Sequence, residues 1–196
     1  MEFTTSCRQR KQILSFAKSG QYAILPDMKD DSYWIEKALA QAKKAARLGE
    51  VPIGAVLIRD SRIIGRGCNR REGKNDPSAH AEMIAIRQAA SRLNAWRLTG
   101  TTLYVTLEPC PMCMGAIILA RIERLVFGCY DPKAGAVGSL YDLSADSRFN
   151  HQVAVSTGVR EQECSDVLSS FFKELRQRKK ALRTICVDEE LNFPPG

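Results

Sequence analysis

The chain has 196 residues, 44% hydrophobic and 26% charged, which suits one globular domain with extensions. No apolar run approaches the roughly eighteen residues of a membrane-spanning helix, which excludes a helical membrane protein. A formal net charge of +7, from 29 basic and 22 acidic residues, favours a polyanionic partner. Seven cysteines, an odd and scattered set, argue against a disulfide framework and for a reducing cytoplasm.

We divide the chain into an N-terminal extension (1–28), a folded domain (29–183) and a C-terminal tail (184–196). The extension has no strong hydrophobic period, and it lacks the hydrophobic region and cleavage site of a secretory signal. Its basic, acid-poor character leaves an organelle-targeting segment as an alternative. The tail contains acidic, proline and glycine residues and is predicted to be loose.

Hydrophobic periodicity predicts the elements of the domain in chain order. A first helix is expected over 33–49, with Asp31 or Ser32 as its N-cap. Two strands within 51–69 are joined by a turn at Asp60 and Ser61, and a polar loop follows. The remaining elements are a helix from 81 to about 94, a strand (103–107), a helix (114–122), a strand (124–130), a short strand (152–157) and a final helix from 161 to 183.

This order predicts an α/β fold around a mixed five-stranded sheet. The first two strands form an antiparallel hairpin, because only a short turn joins them. Strands three and four are connected through a helix, so they are expected to be parallel neighbours.

Cys110 and Cys113 form a CxxC pair where the third strand turns into a helix. Backbone N–H groups and the dipole at a helix start stabilise thiolates, which bind metals. His80 begins another helix in the motif HAE, and two helices starting side by side on one sheet would bring the three side chains together. One histidine and two cysteines leave a coordination position open, as in a catalytic zinc site. Glu82 projects elsewhere, at about 100° per residue, and is expected to reach water at the metal.

Other proteins also contain parts of this pattern. A CxxC pair occurs in redox proteins and as half of a structural zinc site, and a single histidine is usually an ordinary core residue. The sequence contains no second CxxC, and a redox pair does not require HxE. The combination of HxE and PCxxC is the signature of zinc-dependent nucleobase deaminases.

The sequence resembles the bacterial tRNA adenosine deaminases of the cytidine-deaminase-like superfamily, from about Asp30 to Lys180. The matching motifs are, in order, GEVPIGAV (49–56), NR (69–70), DPSAHAE (76–82), WRL (96–98), TLYVTLEPCPMC (102–113), SL (139–140), NH (150–151) and FF (171–172). The resemblance implies a three-layer α/β/α cytidine-deaminase-like fold and a zinc-dependent deaminase domain over 29–183. It also implies hydrolytic deamination of adenosine to inosine at the wobble position of a tRNA anticodon, typically in an arginine tRNA.

The resemblance further implies one zinc ion per subunit, bound by His80, Cys110 and Cys113, with Glu82 moving protons. A cytoplasmic homodimer is expected, in which one subunit helps to bind RNA at the other's site, and no membrane partner. Residues expected to line the pocket or contact RNA are Asn69, Asp131, Lys133, Asn150, His151, Phe172, Arg176, Arg178, Lys179 and Lys180.

Several of these assignments have simpler alternatives. Asp131 precedes a proline and could serve only the turn. The basic residues at 176–180 could form a solvated helix end that the helix dipole stabilises. A deaminase of free bases or nucleosides such as guanine would share the zinc motif but would not need this basic end. A zinc-stabilised RNA-binding module would require neither Glu82 nor an open coordination position.

Overall fold

The computed structural model describes residues 29–191, with side chains up to residue 181, so the extension at 1–28 lies outside the described residues. No helix within this range combines the length and apolar content needed to cross a membrane. The helices are α1 (Asp31–Arg47), α2 (Arg71–Lys74), α3 (Ala81–Leu93), α4 (Pro111–Leu119) and α5 (Glu161–Leu191). The strands are β1 (Gly54–Arg59), β2 (Arg62–Cys68), β3 (Thr102–Leu107), β4 (Arg124–Cys129) and β5 (Ala154–Ser156).

The described strands form one mixed sheet in the order β2-β1-β3-β4-β5. β1 pairs antiparallel with β2 and β3, whereas β4 pairs parallel with β3 and β5. Asp60 and Ser61 have φ angles of 49° and 55°, the left-handed backbone that a tight two-residue hairpin requires. The predicted five-stranded mixed sheet and its hairpin are therefore confirmed.

Helices cover both faces of the sheet, because side chains of successive strand residues point to opposite sides. In β1, Leu57 packs in one core with α3 and α4, while its neighbour Val56 packs in a second core with α1 and α5. This alternation builds the three-layer α/β/α fold that the sequence predicted.

Glycines allow two helices to approach the sheet very closely. A Cβ at Gly54 would collide with the backbone of α1 at Ala38, and a Cβ at Gly67 would collide with the carbonyl of Ala81 at the start of α3. Gly54, at the start of β1, thus allows the backbone of α1 to lie directly against the strand. Gly67 brings the first residue of α3 against β2 and so helps to position His80.

Several predicted boundaries were wrong. The N-cap of α1 is Asp30, whose side chain accepts a hydrogen bond from the Tyr33 N–H at 2.9 Å. Asp31 instead binds both terminal nitrogens of Arg124 at 2.8 and 2.6 Å, next to the start of β4. The polar loop contains the single turn α2, and α4 begins at Pro111 rather than residue 114. Helix α5 continues to Leu191, so the first part of the predicted loose tail has helical backbone.

Candidate active site

The candidate site lies at the end of the sheet where β2, β3 and β4 finish. His80 and Cys110 occupy equivalent positions there, as the N-caps of α3 and α4. Their backbones are nearly identical, with φ of −74° for both and ψ of 155° and 170°. Neither side chain makes the usual capping hydrogen bond to its own helix. Both side chains are therefore available to a shared ligand.

The structure brings together the three predicted metal ligands. The Nδ1 atom of His80 lies 3.7 Å from Sγ of Cys110 and 3.6 Å from Sγ of Cys113, and the three ligand atoms all lie within 4.8 Å of one another. Tetrahedral zinc with bonds of about 2.1 Å to nitrogen and 2.3 Å to sulfur would separate those two atoms by roughly 3.6 Å. The donor types and their spacing therefore fit a zinc ion.

Hydrogen bonds within this ligand set shift the pKa values of its members. A hydrogen bond from Cys113, together with His80, lowers the pKa of the Cys110 thiol to about 4. The hydrogen bond to Cys110 raises the pKa of Cys113, which keeps the proton that it donates. The hydrogen bond with Cys110 raises the pKa of His80. A metal bound by all three groups must displace the protons that they share, so binding would release protons.

Glu82 lies in the first turn of α3 and is only 4% exposed. Burial raises the pKa of its carboxyl group to about 7. Within the described part of the chain, its Oε2 atom and the Oδ1 atom of Asn69 are buried without a hydrogen-bond partner. A buried oxygen left unpaired costs about 1–3 kcal/mol. Both atoms are therefore in position for a ligand that the chain does not supply.

These groups border one cavity of about 590 Å³, within the range of about 300–1,000 Å³ typical of small-ligand sites. Residues at and beyond the ends of β2, β3 and β4, the segment before β1, the starts of α2 and α3, and one side of α5 all contribute to its lining. It is lined by Val51, Ile53, Asn69, Arg71, His80, Glu82, Leu107, Glu108, Cys110, Tyr130, Asp131, Pro132, Lys133, Ala134, Leu168, Ser169 and Phe172.

Comparison with known proteins identifies the family. The MafB19-like deaminase profile matches residues 29–176. The chain is 53% identical over 156 residues to the tRNA-specific adenosine deaminase of Bacillus subtilis, covering 80% of this chain and 97% of that protein. It is 50% identical over 151 residues to the same enzyme of Haemophilus influenzae, covering 76% and 87%. This chain belongs to the tRNA-specific adenosine deaminase family.

Solved structures agree with this family. A chain from structural studies of A-to-I editing by tRNA:A34 deaminases at the wobble position of transfer RNA is 46% identical, with a TM-score of 0.68. The match covers 70% of this chain and 99% of that one. A guanine deaminase from Nitrosomonas europaea has a TM-score of 0.61 at 20% identity, covering 71% and 83%, and shares the fold alone. The resemblance to the tRNA-specific adenosine deaminases noted in the sequence is thus confirmed.

The structure places four of the ten predicted pocket or RNA residues of this deaminase at the cavity. Asn69, Asp131, Lys133 and Phe172 line it, and Phe172 keeps 40% of its surface exposed. The basic residues lie farther along α5 on its exposed surface, beyond the cavity. Arg178 lines a different groove, between α5 and the end of α1.

Asn150 and His151 do not line the cavity, contrary to the prediction that they help to line the pocket. Asn150 accepts a hydrogen bond from Arg121 at 2.5 Å, and the Nε2 atom of His151 lies 2.7 Å from the carbonyl oxygen of Ile122. Both partners immediately precede β4, whereas the cavity lies beyond the end of that strand. The chain before β5 must return to the start of β4, because these two strands are parallel.

Two buried carboxylates next to the cavity had no predicted role. Glu50, 1% exposed, accepts hydrogen bonds from the backbone N–H groups of Glu72 and Gly73 in α2. Glu108, 2% exposed, accepts hydrogen bonds from the loop of residues 131–139, here called the wall loop. The sequence signal that could have identified them is a carboxylate beside an apolar segment. Glu50 directly precedes the segment that leads into β1, and Glu108 lies between β3 and the PCxxC motif.

Proposed function

We propose that this protein deaminates adenosine to inosine at the wobble position of a tRNA anticodon, using one zinc ion per subunit and an arginine tRNA as substrate. One observation carries the proposal. The unpaired Oε2 atom of Glu82 borders the same cavity as His80 and Cys110, two of the three residues of the His–Cys–Cys group. Asn69, Lys133 and Phe172, which suit an RNA ligand, border that cavity as well.

The three ligands proposed for zinc are His80, Cys110 and Cys113. Zinc in such a site supplies the Lewis acidity that makes water a nucleophile near neutral pH. The burial of Cys113, which is 0% exposed, and the N-cap positions of His80 and Cys110 hold the ligand set rigidly.

Glu82 is the proposed proton carrier. It takes a proton from the attacking water, whose oxygen forms the new bond to C6 of adenine. Glu82 then gives this proton to N1 of the ring, takes the remaining water proton from the new hydroxyl group at C6 and gives it to the amino group. The bond between C6 and the amino nitrogen breaks, so that ammonia leaves and C6 becomes a carbonyl. A buried carboxyl group with a pKa of about 7 can perform these transfers near neutral pH, because neither of its protonation states is strongly disfavoured.

The adenosine must leave the anticodon stack to enter the cavity, and a single-stranded loop makes this extrusion inexpensive. The unpaired Oδ1 atom of Asn69 supports a hydrogen bond with the flipped nucleotide. The half-exposed ring of Phe172 can stack on a neighbouring base, and Lys133 can neutralise a phosphate. These interactions favour RNA over a free base, which would leave Phe172 and Lys133 without partners at the mouth of the cavity.

The direct test compares substrates with the zinc-loaded protein. An anticodon stem-loop with adenosine at the wobble position should be converted to inosine with a higher kcat/KM than free adenosine or guanine. Faster turnover of free guanine or adenosine would instead make this protein a nucleobase or nucleoside deaminase. Comparison of stem-loops from arginine and other tRNAs tests the proposed tRNA.

The exposed basic part of α5 is proposed to bind the backbone of the stem-loop. Replacing Arg176, Arg178 and Lys179 by glutamine should weaken stem-loop binding and leave the zinc content unchanged. The plot of log affinity against log salt concentration should become shallower by roughly 0.7 for each phosphate that the variant no longer neutralises, because fewer counterions are released.

A matched control replaces three exposed arginines at the opposite end of the sheet, Arg59, Arg62 and Arg92. This variant loses the same charge as the α5 variant. Its binding should nevertheless follow the wild-type salt dependence, because these arginines are not proposed to contact phosphates. An unchanged slope with weaker binding in the α5 variant would mean that the helix acts through folding or assembly.

A cytoplasmic homodimer is proposed from the family resemblance, the cysteine content and the tRNA substrate. Large apolar side chains that remain exposed in α4 and in the segment before β5 support a covering subunit. They are Met112, Leu119, Leu140, Tyr141 and Phe149. The molar mass in solution tests this assembly.

A further inference from the structure

Glu108 is a buried carboxylate that has no step in the proposed chemistry. It lies between the end of β3 and the ligand Cys110, and its backbone N–H donates to the Cys129 carbonyl at 2.9 Å. A buried charge is costly unless hydrogen bonds compensate it. The partners of this carboxylate therefore indicate what it does.

Among the described residues, the Glu108 carboxylate accepts four hydrogen bonds, and all four come from the wall loop. Its Oε2 atom accepts from the Asp131 N–H at 3.0 Å and from the Ser139 hydroxyl. Its Oε1 atom accepts from the N–H groups of Val137 at 2.8 Å and Ser139 at 3.1 Å. The loop folds closely over this group, since a Cβ at Gly135 would collide with the carboxylate. Both ends of the wall loop are thus held by one side chain.

The wall loop carries four residues that line the cavity, and two of them, Asp131 and Lys133, have polar side chains that are predicted to contact the substrate. The Oδ1 atom of Asp131 accepts from the backbone N–H groups of Lys133 at 3.0 Å and Ala134 at 3.3 Å. The position of Lys133 therefore depends on Asp131, and the backbone of Asp131 is held by Glu108. This series of hydrogen bonds connects the cavity wall to the segment that carries a metal ligand.

We infer that Glu108 is a positioning residue, which sets Asp131 and Lys133 at a fixed place relative to Cys110. The inference rests on the proposed function, because it assumes that these residues contact the RNA substrate. Glu108→Gln keeps the size of the side chain but replaces one accepting oxygen by an amide that donates. At least one N–H or hydroxyl of the wall loop then loses its acceptor, and the loop should shift.

Glu108→Gln should retain one zinc per chain and lose about 10- to 100-fold in kcat/KM for the stem-loop, since a displacement of about 1 Å can cost 10²-fold. A double-mutant cycle with Lys133→Ala gives the decisive result. If Glu108 acts through the wall loop, Lys133→Ala should cost much less in the Glu108→Gln background than in the wild type. The reason is that a displaced Lys133 no longer interacts with the RNA, so its removal has little left to change.

Asp31→Asn is the matched control, because it also removes a carboxylate that accepts several hydrogen bonds, but at the start of β4 rather than its end. The losses in kcat/KM caused by Asp31→Asn and by Lys133→Ala should multiply in the double mutant, because the two sites act independently. Ser139→Ala removes one hydrogen-bond donor to Glu108 and is a milder change. If Glu108→Gln does not fold, a double-mutant cycle of Ser139→Ala with Lys133→Ala tests whether the wall loop must be held in place.

Two outcomes would overturn this inference. If the losses in kcat/KM caused by Glu108→Gln and Lys133→Ala simply multiply in the double mutant, Glu108 contributes only to stability. Loss of zinc from folded Glu108→Gln would place its role at the metal ligands instead. Failure of the wild-type protein to deaminate any stem-loop would overturn the proposed function itself, so the two failures are distinguishable.

Discussion

Glu82→Ala should reduce the rate of inosine formation by about 10²–10⁴-fold, the usual contribution of a general acid–base group. The loss should appear in the chemical step, because Glu82 is proposed to move protons and not to bind metal or RNA. Single-turnover deamination of the stem-loop measures that step. Zinc content and stem-loop affinity should stay close to the wild-type values.

Glu36→Ala is a suitable control for this variant. Glu36 is an exposed carboxylate on α1 that pairs with Lys37 and Arg160, and exposed ion pairs contribute little to stability. Its deamination rate should remain that of the wild type. An active Glu82→Ala protein would require a different proton carrier, whereas loss of zinc from it would make Glu82 part of the metal site.

Replacing Cys110 and Cys113 together by alanine should abolish zinc binding and reduce deamination to the rate without enzyme. Two of the three proposed ligands are then missing, and the remaining imidazole cannot hold zinc tightly. Metal analysis of the freshly purified protein checks the first effect, and the stem-loop assay checks the second. Chelation of zinc from the wild-type protein should give the same loss of activity, and added zinc should restore it.

Cys164→Ala provides the matched control for the cysteine variant. Cys164 is also buried, at 1% exposed, but it belongs to α5 and packs in the other core. This variant should keep one zinc per chain and its deamination activity. Full zinc content in the variant that lacks both Cys110 and Cys113 would show that the metal is bound elsewhere.

The meeting of His80, Cys110 and Cys113 could be predicted from sequence because it depends on local rules. A histidine and a cysteine each stand at the start of an apolar helix that crosses the same sheet. Helices that follow parallel strands start at the same end of the sheet, and right-handed crossovers place them on the same face. The structure shows both residues as N-caps with the same extended backbone, so little beyond this local pattern was needed.

Asn150 and His151 were misplaced because their segment has no hydrophobic period. Their positions depend on hydrogen bonds to Arg121 and to the carbonyl of Ile122, which are distant in the sequence. The N-cap of α1 was predicted as Asp31 or Ser32 in place of Asp30 for the same reason, because the role of Asp31 depends on its hydrogen bonds to Arg124. Such polar pairings follow from the completed fold and not from local sequence.

Glu50 and Glu108 were missed for a related reason. A charged residue beside a strand is usually exposed, and the partners of these carboxylates are backbone N–H groups of α2 and the wall loop, which lie more than twenty residues along the chain. The helical extent of α5 was underestimated because a basic run is typical of the last turn of a helix. In the structure the helix continues beyond that run to Leu191.

The measurement that tests the central claim most directly is the sequencing of tRNA from cells that lack this protein. Wobble positions that carry inosine in the parent cells should carry unmodified adenosine in the deletion strain. The wild-type gene should restore inosine, and a gene encoding Glu82→Ala should not. Inosine that persists at every wobble position in the deletion strain would contradict the account.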